Sequence, residues 1–217
     1  HASGHSMSIG APASNPASDL TLTLPATIGS AGQVLSVDGS GNLVWLTPSL
    51  NIVDRWRLDA DTTDGAELVI GGGTQSGNEG RAWERNDQSE HLPGFITTGG
   101  QITAAATGKF SFPVTGIYYI NFHASVYSNG TDSIVQIILQ VTDDNGSNWR
   151  SAASGRQGDR ESSDIHNAID MNYIIDVTNT SNHKIRFYTD SFSAATNVRG
   201  SSVQDFTWAT FMKLGDT

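Results

Sequence analysis

The chain has 217 residues, of which only 16% are charged, and its 12 Lys and Arg against 22 Asp and Glu give a net charge of −10. That sign disfavours nucleic acid and anionic membranes as partners and leaves neutral or cationic ones open, because a phosphate backbone is bound by a surplus of Lys and Arg. Cysteine is absent, which excludes disulfides and thiolate metal sites.

We predict that residues 8–50 form a stem, preceded by an expression-tag remnant, HASGHSM, at residues 1–7. The leucines of LTLTL alternate with threonine and share one face of a predicted strand: Leu20, Leu22 and Leu24. Val34–Val37 and Leu43–Trp45 then flank DGSGN, where Gly39 and Gly41 can take the positive φ of a tight hairpin. One strand and one hairpin cannot bury their apolar side chains alone, so other copies of the chain are expected to complete this core.

The rest of the chain, residues 51–217, is predicted to be an all-β, antiparallel sandwich of the jelly-roll type. Period-two alternation is clearest from Tyr118 to Val126 and from Met171 to Val177. Shorter apolar stretches predict further strands around Trp56, Phe110, Ile185 and Trp208. The polar segment 148–160 is predicted to be a long loop, and SFSAATN at 191–197 another.

One predicted strand, IVQIILQV at 134–141, carries apolar side chains on both faces. Val135, Ile137, Leu139 and Val141 fill one face, whereas Ile134 and Ile138 alternate with glutamines on the other. A sandwich strand normally shows one face to water, so the second apolar face favours a subunit interface. A sheltering loop is the alternative explanation.

The segment TGKFSFPVTGIYYINFHASV at 107–126 resembles the signature strand pair of the complement-type globular head in the complement/tumour-necrosis-factor jelly-roll superfamily. SSVQDFTWATFMKL at 201–214 is similar to the family's last strand, with Ala209 where glycine is more usual. The resemblance implies a homotrimer of ten-stranded jelly rolls around a threefold axis. The candidate residues for the trimer interface or core are Tyr118, Tyr119, Phe122, Ile134, Ile138, Phe206 and Trp208.

The stem carries a second resemblance. LTLTLPATIGSAGQVLSVDGSGNLVW is similar to a recurring segment of bacteriophage tail and head fibres that precedes a receptor-binding tip, and also to segments of bacterial surface fibres. The resemblance implies an extracellular location, on a virion fibre or a bacterial cell-surface fibre, with the stem joining the head to the remainder of the fibre.

The sequence offers little for catalysis. His123 has no nucleophile or orienting partner nearby in sequence, which favours packing, and no hydrolase, zinc or phosphate-loop motif occurs. Acidic DADTTDGAE contains the weak metal candidates Asp59, Asp61 and Asp64, but its spacing is off by one from a helix-flanked calcium loop, and a solvated turn is favoured. No enzyme activity, cofactor or metal is predicted.

For ligand binding, the informative segment is 148–160, because aromatic and guanidinium groups together suit sugars or acidic polymers. Its candidates are Trp149, Arg150, Arg156 and Arg160, with Tyr127 and Trp83 as weaker ones. The alternative is that Trp149 closes a hairpin while the arginines pair with Asp159 and Glu161.

These observations predict a trimeric fibre tip that recognises a glycan or protein on a target cell. Three weak sites on one rigid head would raise avidity on a surface that repeats the ligand. Two alternatives stay open: a structural cap that only trimerises the fibre, and a polysaccharide depolymerase built on an unrecognised pair of carboxylates.

Overall fold

The computed structural model describes residues 14, 21, 23–48, 50–62, 69–72, 83–85, 102–105, 107–128, 134–158, 165–192 and 196–217. Every regular element in these residues is a β-strand. The described residues therefore contain no helix that is long and apolar enough to span a membrane. The chain divides into two compact units, residues 1–49 and residues 50–217.

The first unit contains the predicted hairpin, formed by strands β1 (Val34–Val37) and β2 (Leu43–Leu46). Its turn is closed by Asp38, whose carboxylate accepts hydrogen bonds from the backbone N–H groups of Asn42 at 2.9 Å and Ser40 at 2.8 Å. These bonds, together with one from the Asn42 side chain, lower the pKa of Asp38. Gly41 has φ of 86°, whereas Gly39 is not in the left-handed region.

The strand expected around the stem leucines is not formed at Leu24, which lies outside any strand and is exposed. A hydrogen bond from the Leu43 N–H to the Thr23 carbonyl, at 3.1 Å, joins the described part of this segment to the hairpin. Leu20 and Leu22 lie outside the described residues, as does the predicted tag remnant at 1–7.

The second unit is a sandwich of two antiparallel sheets. Its strands are β3 (Val53–Leu58), β4 (Trp83–Arg85), β5 (Thr103–Ala104), β6 (Lys109–Ser111), β7 (Gly116–Ser128), β8 (Ile134–Thr142), β9 (Arg150–Gly158), β10 (Ile165–Val177), β11 (Lys184–Asp190), β12 (Thr196–Val198) and β13 (Trp208–Gly215). The six-stranded sheet has the order β10-β7-β13-β3-β4, with β12 also paired to β7, and the five-stranded sheet has the order β5-β6-β11-β8-β9.

Aromatic side chains from both sheets form the centre of the core. Phe122 of β7 stacks on Phe187 of β11 with 4.0 Å between ring centroids, and Phe110 of β6 contacts Phe211 of β13 at 4.9 Å. Trp83 lies 5.2 Å from Phe110, and its indole N–H donates to the Ile70 carbonyl at 2.9 Å. Aromatic pairs of this kind add to the area that they bury, so the cluster ties the two sheets together.

The segment expected to be a long loop forms strand β9 instead. Its sequence, RSAASGRQG, has no large apolar residue because the sheets approach closely there: a side chain at Gly155 would meet Ile169 at 2.4 Å. An extra residue, Ala152, also bulges out of the pairing between β8 and β9 and shifts the alternation. The loop predicted at 191–197 likewise ends in the short strand β12.

We predict that Phe187→Ala lowers the free energy of unfolding by about 3–5 kcal/mol, because it removes a ring stacked between the sheets and leaves a cavity. Guanidinium denaturation followed by tryptophan fluorescence, at fixed chain concentration, measures the change. Val114→Ala is the control, since Val114 is exposed and its truncation should change stability by about 0.5 kcal/mol or less. Equal effects of the two substitutions would contradict the assigned core.

Candidate ligand-binding face

Charge is distributed unevenly between the two sheets. The strands of the five-stranded sheet carry five of the chain's 12 Lys and Arg but only one of its 22 Asp and Glu. The strands of the six-stranded sheet carry four basic and four acidic residues. In a chain with a net charge of −10, the outward face of the five-stranded sheet is therefore locally basic.

Arg186 lies at the centre of this basic face. Strand alternation sends Ile185 and Phe187 into the core and leaves Arg186 pointing outward. Its guanidinium carbon lies 4.3 Å from the centroid of the Trp149 indole, and its Nε donates to the Gln140 side chain at 2.7 Å. Partial burial lowers the pKa of Arg186, which still leaves an arginine charged at neutral pH.

Trp149 serves as the support for this cation. One side of the indole carries Arg186, with the Lys109 ammonium 5.8 Å from the ring centroid, and Gly146 of the preceding turn also lies close to the ring. Cations over an indole face are held by the negative face of the ring quadrupole. The predicted role of Trp149, stacking on a sugar, therefore competes with Arg186 for the same ring.

The turn that positions Trp149 is organised by Asp144. Its carboxylate accepts hydrogen bonds from the Thr142 hydroxyl at 2.6 Å and from the backbone and side-chain nitrogens of Asn148 at 2.9 and 2.6 Å. Asn145 and Gly146 complete the reversal with φ of 61° and 91°. The hydrogen bonds, that from Thr142 first, hold the pKa of Asp144 far below its usual range.

A shallow groove of about 300 Å³ runs beside the basic centre, between β8 and β9. Its lining combines amide, hydroxyl and small apolar groups, from Gln136, Ile138, Ser151, Ala152, Ala153 and Ser154. Gln136, only 6% exposed, pairs across the sheet with Arg156 on one side and Asp190 on the other. The groove is at the lower end of the size range of ligand pockets and suits a unit as small as one sugar ring.

The other predicted ligand-binding residues lie in different surroundings. Arg150 pairs with Asp143, Arg156 is exposed on β9, and Arg160 lies outside the described residues together with Asp159 and Glu161. Tyr127 is on the opposite sheet, with its ring 5.1 Å from that of His166. Trp83 is 6% exposed in the core, which corrects its prediction as a ligand contact, since a buried indole bonded to a carbonyl has no access to a surface ligand.

The candidate interface residues fall into four environments. Tyr118 and Phe122 are core residues of β7, and Phe206 is a half-buried residue just before β13, covered by Arg199 at 4.2 Å. Tyr119 and Trp208 lie on the outward face of the six-stranded sheet, whereas Ile134 and Ile138 lie on the outward face of the five-stranded sheet. One flat interface cannot include both outward faces of a sandwich.

The ring of His123 packs against Trp208, and a carboxylate distant in sequence, Asp170, lies beside it. Its Nδ1 lies 2.7 Å from the Asp170 carboxylate, and its ring stacks on Trp208 with 5.6 Å between centroids. Arg55 lies 3.9 Å from the centroid of the same indole and pairs with Asp205 at 2.8 Å. These contacts form a row across β10, β7, β13 and β3.

Two of the three weak metal candidates, Asp59 and Asp61, are among the described residues. Asp61 accepts a hydrogen bond from the Gly200 N–H at 2.8 Å, Asp59 is half-buried, and Asp64 lies outside the described residues. Within the part of the chain that the structure describes, no group of three His, Cys, Asp or Glu could hold a metal ion.

Sequence reasoning missed the basic residues of β6 and β11. Lys184 and Arg186 alternate with Ile185 and Phe187, and Lys109 precedes Phe110, so each is the outward neighbour of a core residue. The period-two alternation of β11 could have predicted that Lys184 and Arg186 share one outward face. It could not have predicted that Arg186 contacts Trp149, because that residue lies in a turn over 30 residues earlier in the chain.

Several solved structures are similar to this chain. The chain resembles Eiger TNF from S. frugiperda at 12% identity, with a TM-score of 0.52 over 78% of this chain and 96% of that one. Murine APRIL gives 12% identity, a TM-score of 0.48 and coverages of 75% and 98%, and the globular domain of zebrafish complement 1qA protein gives 11%, 0.45, 76% and 99%. No family model and no curated protein sequence matches.

The second unit thus has an antiparallel jelly-roll fold like that of Eiger TNF, which confirms the fold class predicted from the sequence. At identities near 12%, the likeness shows the fold alone.

We predict that the carboxyl group of Asp144 stays ionised when the pH is lowered from 5 to 3, because its folded-state pKa is depressed. The stability contributed by this turn is then present above the unfolded pKa of about 3.9 and is lost as the pH falls from there towards the folded value. The carboxyl-carbon NMR shift of Asp144, followed across a pH titration, measures its ionisation.

Thr142→Val provides the matched comparison, since it removes the first of the hydrogen bonds to Asp144 and keeps the side-chain shape. In that variant the pKa of Asp144 should move up towards its usual value. An unchanged pKa in Thr142→Val would contradict the assigned cause.

Proposed function

We propose that this protein is a homotrimeric, non-enzymatic attachment head at the tip of an extracellular fibre, and that it binds a glycan or protein on the surface of a target cell. The stem would join the head to the remainder of the fibre, on a virion or on a bacterial cell. The observation that carries the proposal is an apolar band on the outward face of the six-stranded sheet.

The band crosses four strands. Ile174 of β10, Tyr119 of β7, Met212 of β13 and Val53 of β3 are successive partners in the sheet register. Ile174 is 57% exposed, and Leu214 near the end of β13 is 53% exposed. Contiguous exposed apolar surface on a soluble protein usually marks an interaction site, and covering it with another copy removes that surface from water.

The stem also supports self-association. Among the described residues, seven of its large apolar side chains are exposed: Leu24, Ile28, Val34, Leu35, Val37, Leu46 and Leu50. A two-stranded hairpin is marginally stable by itself in water, so neighbouring copies would both cover these side chains and stabilise the strand pair. Three copies is the number that the resemblance to the complement/tumour-necrosis-factor heads implies, and the fold likeness to Eiger TNF supports that resemblance.

A trimer closed through the six-stranded sheet would leave the basic face of each five-stranded sheet on the outside. The same head would then present three ligand sites at fixed spacing. On a cell surface that repeats its ligand, three weak sites bind with an avidity well above that of one. This arrangement separates self-association from recognition and assigns one outward face to each.

We predict that the purified chain has about three times its 23.1 kDa mass in multi-angle light scattering at micromolar concentration. Ile174→Lys should shift the head towards monomers, because it places a charge in the buried band. Ile134→Lys is the control: Ile134 is 46% exposed on the opposite sheet, and its variant should remain trimeric. Dissociation by Ile134→Lys but not Ile174→Lys would move the interface to the five-stranded sheet, and a monomeric parent chain would contradict the proposal.

The binding role is tested with labelled trimer on target cells and on their isolated surface polysaccharides. We expect saturable binding, weakened in the Ile174→Lys monomer by the loss of avidity, and no change in polysaccharide chain length. Trimers that bind no surface would indicate a structural cap, and shortened polysaccharide would indicate a depolymerase; either result would contradict the proposal.

A further inference from the structure

We propose that the outward face of the five-stranded sheet binds an acidic polysaccharide, with Arg186 as the central contact to a carboxylate, sulfate or phosphate group of the sugar chain. The inference rests on the proposed function and names the chemical class of its ligand. It depends on how the basic side chains of the two sheets are paired.

The arginines of the six-stranded sheet are paired within the protein. Arg55 contacts Asp205 and Arg57 contacts Glu84, both at 2.8 Å, and Arg85 contacts Asp54 at 3.1 Å. Each of these arginines has a carboxylate partner in the same subunit. Their positive charges are therefore already neutralised within the protein and do not attract an external anion strongly.

The basic side chains of the five-stranded sheet differ. Among the residues that the structure describes, the ion pair on this side joins Arg150 to Asp143, and none includes Lys109, Lys184 or Arg186. These three cations lie on adjacent strands, with Lys109 and Lys184 both next to Arg186 in the sheet. Three neighbouring cations without a described carboxylate partner form a site for an external anion.

Arg186 is oriented for such contact before any ligand arrives. The Trp149 ring and the Gln140 amide fix the guanidinium plane through a 4.3 Å stacking contact and a 2.7 Å hydrogen bond from Nε. No hydrogen bond between described residues uses its terminal nitrogens, which can therefore donate to a ligand oxyanion. A pre-oriented guanidinium loses less conformational entropy on binding, and its bonds to oxyanions are stronger than neutral ones.

The neighbouring groove suits the uncharged part of a sugar chain. Gln140 lies between Arg186 and Ser151 in the register, and the next outward row contains Tyr188, Ile138 and Ser154. Hydroxyl and amide groups can exchange hydrogen bonds with sugar hydroxyls, while Ile138 can contact the apolar face of a ring. A chain of acidic sugars could thus place a charge at Arg186 and the adjacent ring in the groove.

Two other anionic partners fit this face less well. Duplex DNA has one charge per about 1.7 Å of axis, and neutralising it takes a longer run of cations than Lys109, Lys184 and Arg186 supply. An acidic protein would normally insert large apolar or aromatic anchors, but in the described strands of this face the exposed large apolar residue is Ile134, at one end of β8. A sugar polymer of moderate charge density needs neither feature.

The test uses the full chain and three immobilised polymers that share one backbone: dextran, carboxymethyl-dextran and dextran sulfate. We predict binding to one or both charged polymers, a decrease in affinity with added salt, and no binding to dextran. Arg186→Gln should weaken binding by at least about tenfold, since it removes a charge-assisted hydrogen bond. The affinity of Arg186→Lys should lie between those of the parent chain and of Arg186→Gln, because lysine keeps the positive charge but lacks the planar guanidinium.

Arg199→Gln is the matched control, because it removes one positive charge away from the basic face, where Arg199 covers Phe206. It should bind like the parent chain. Lys109→Gln with Lys184→Gln provides a second variant pair that leaves the Arg186 contacts with Trp149 and Gln140 in place. Circular dichroism and light scattering confirm that each variant keeps its fold and its oligomeric state.

The inference is overturned if dextran binds as well as its charged derivatives, if Arg199→Gln and Arg186→Gln weaken binding equally, or if duplex DNA or polyglutamate binds more tightly than the acidic dextrans. Its failure differs from that of the proposed function. A trimer that attaches to target cells equally well with and without Arg186 would disprove only the acidic-polysaccharide site, whereas a monomer that binds no cell surface would disprove the attachment role.

Discussion

Phe122 and Phe187 stack at 4.0 Å in the middle of the sandwich, and this contact constrains the chemistry of both outer surfaces. Successive side chains of a strand point to opposite faces, so a residue fixed in the core determines where its neighbours point. With Phe122 inside, His123 must lie on the outer face of the six-stranded sheet; with Phe187 inside, Arg186 must lie on that of the five-stranded sheet. The aromatic core therefore positions the candidate functional residues as well as stabilising the fold.

The two outer faces are suited to different tasks. On the six-stranded sheet the arginines are paired with carboxylates, as in the Arg55–Asp205 and Arg57–Glu84 contacts, and an apolar band continues across the strands from Ile174. Such a face can be covered by another copy without burying an unpaired guanidinium. The five-stranded sheet presents Arg186 and its basic neighbours beside a polar groove, and burial between copies of the chain would be costly for those cations.

The sequence predicts the strands with large alternating side chains and fails where other constraints dominate. Strand β7 is evident from Tyr118 to Val126, because every second residue is apolar and buried. Strand β9 is hidden because close approach of the sheets requires Gly155 and neighbouring small residues, and a bulge at Ala152 interrupts its period. Period two shows that Ile138 and Tyr119 face away from the core, but only the sheet order shows that they lie on opposite sides of the sandwich.

Side-chain contacts between distant segments are the least predictable part of the candidate site. Trp149 and Arg150 attract attention in the sequence because aromatic and basic residues are adjacent there. In the folded chain the important partner of Trp149 is Arg186, which reaches it through the pairing of β11 with β8 and the turn closed by Asp144. The sequence contains both residues, but their contact depends on the register between strands.

Net charge is similarly a poor guide to the surface that a ligand meets. The value of −10 describes the whole chain and acts at long range, where it keeps copies soluble and slows the approach of anions. At physiological ionic strength, exposed charges separated by more than about 8 Å are largely screened from one another. An anion at Arg186 therefore responds mainly to the charges nearby, which are Lys109 and Lys184 in the sheet and Asp144 in the turn before Trp149. It responds much less to the carboxylates on the other sheet, which packs about 10 Å away. A protein that is acidic overall can thus bind an acidic polymer wherever its fold gathers unpaired cations on one sheet.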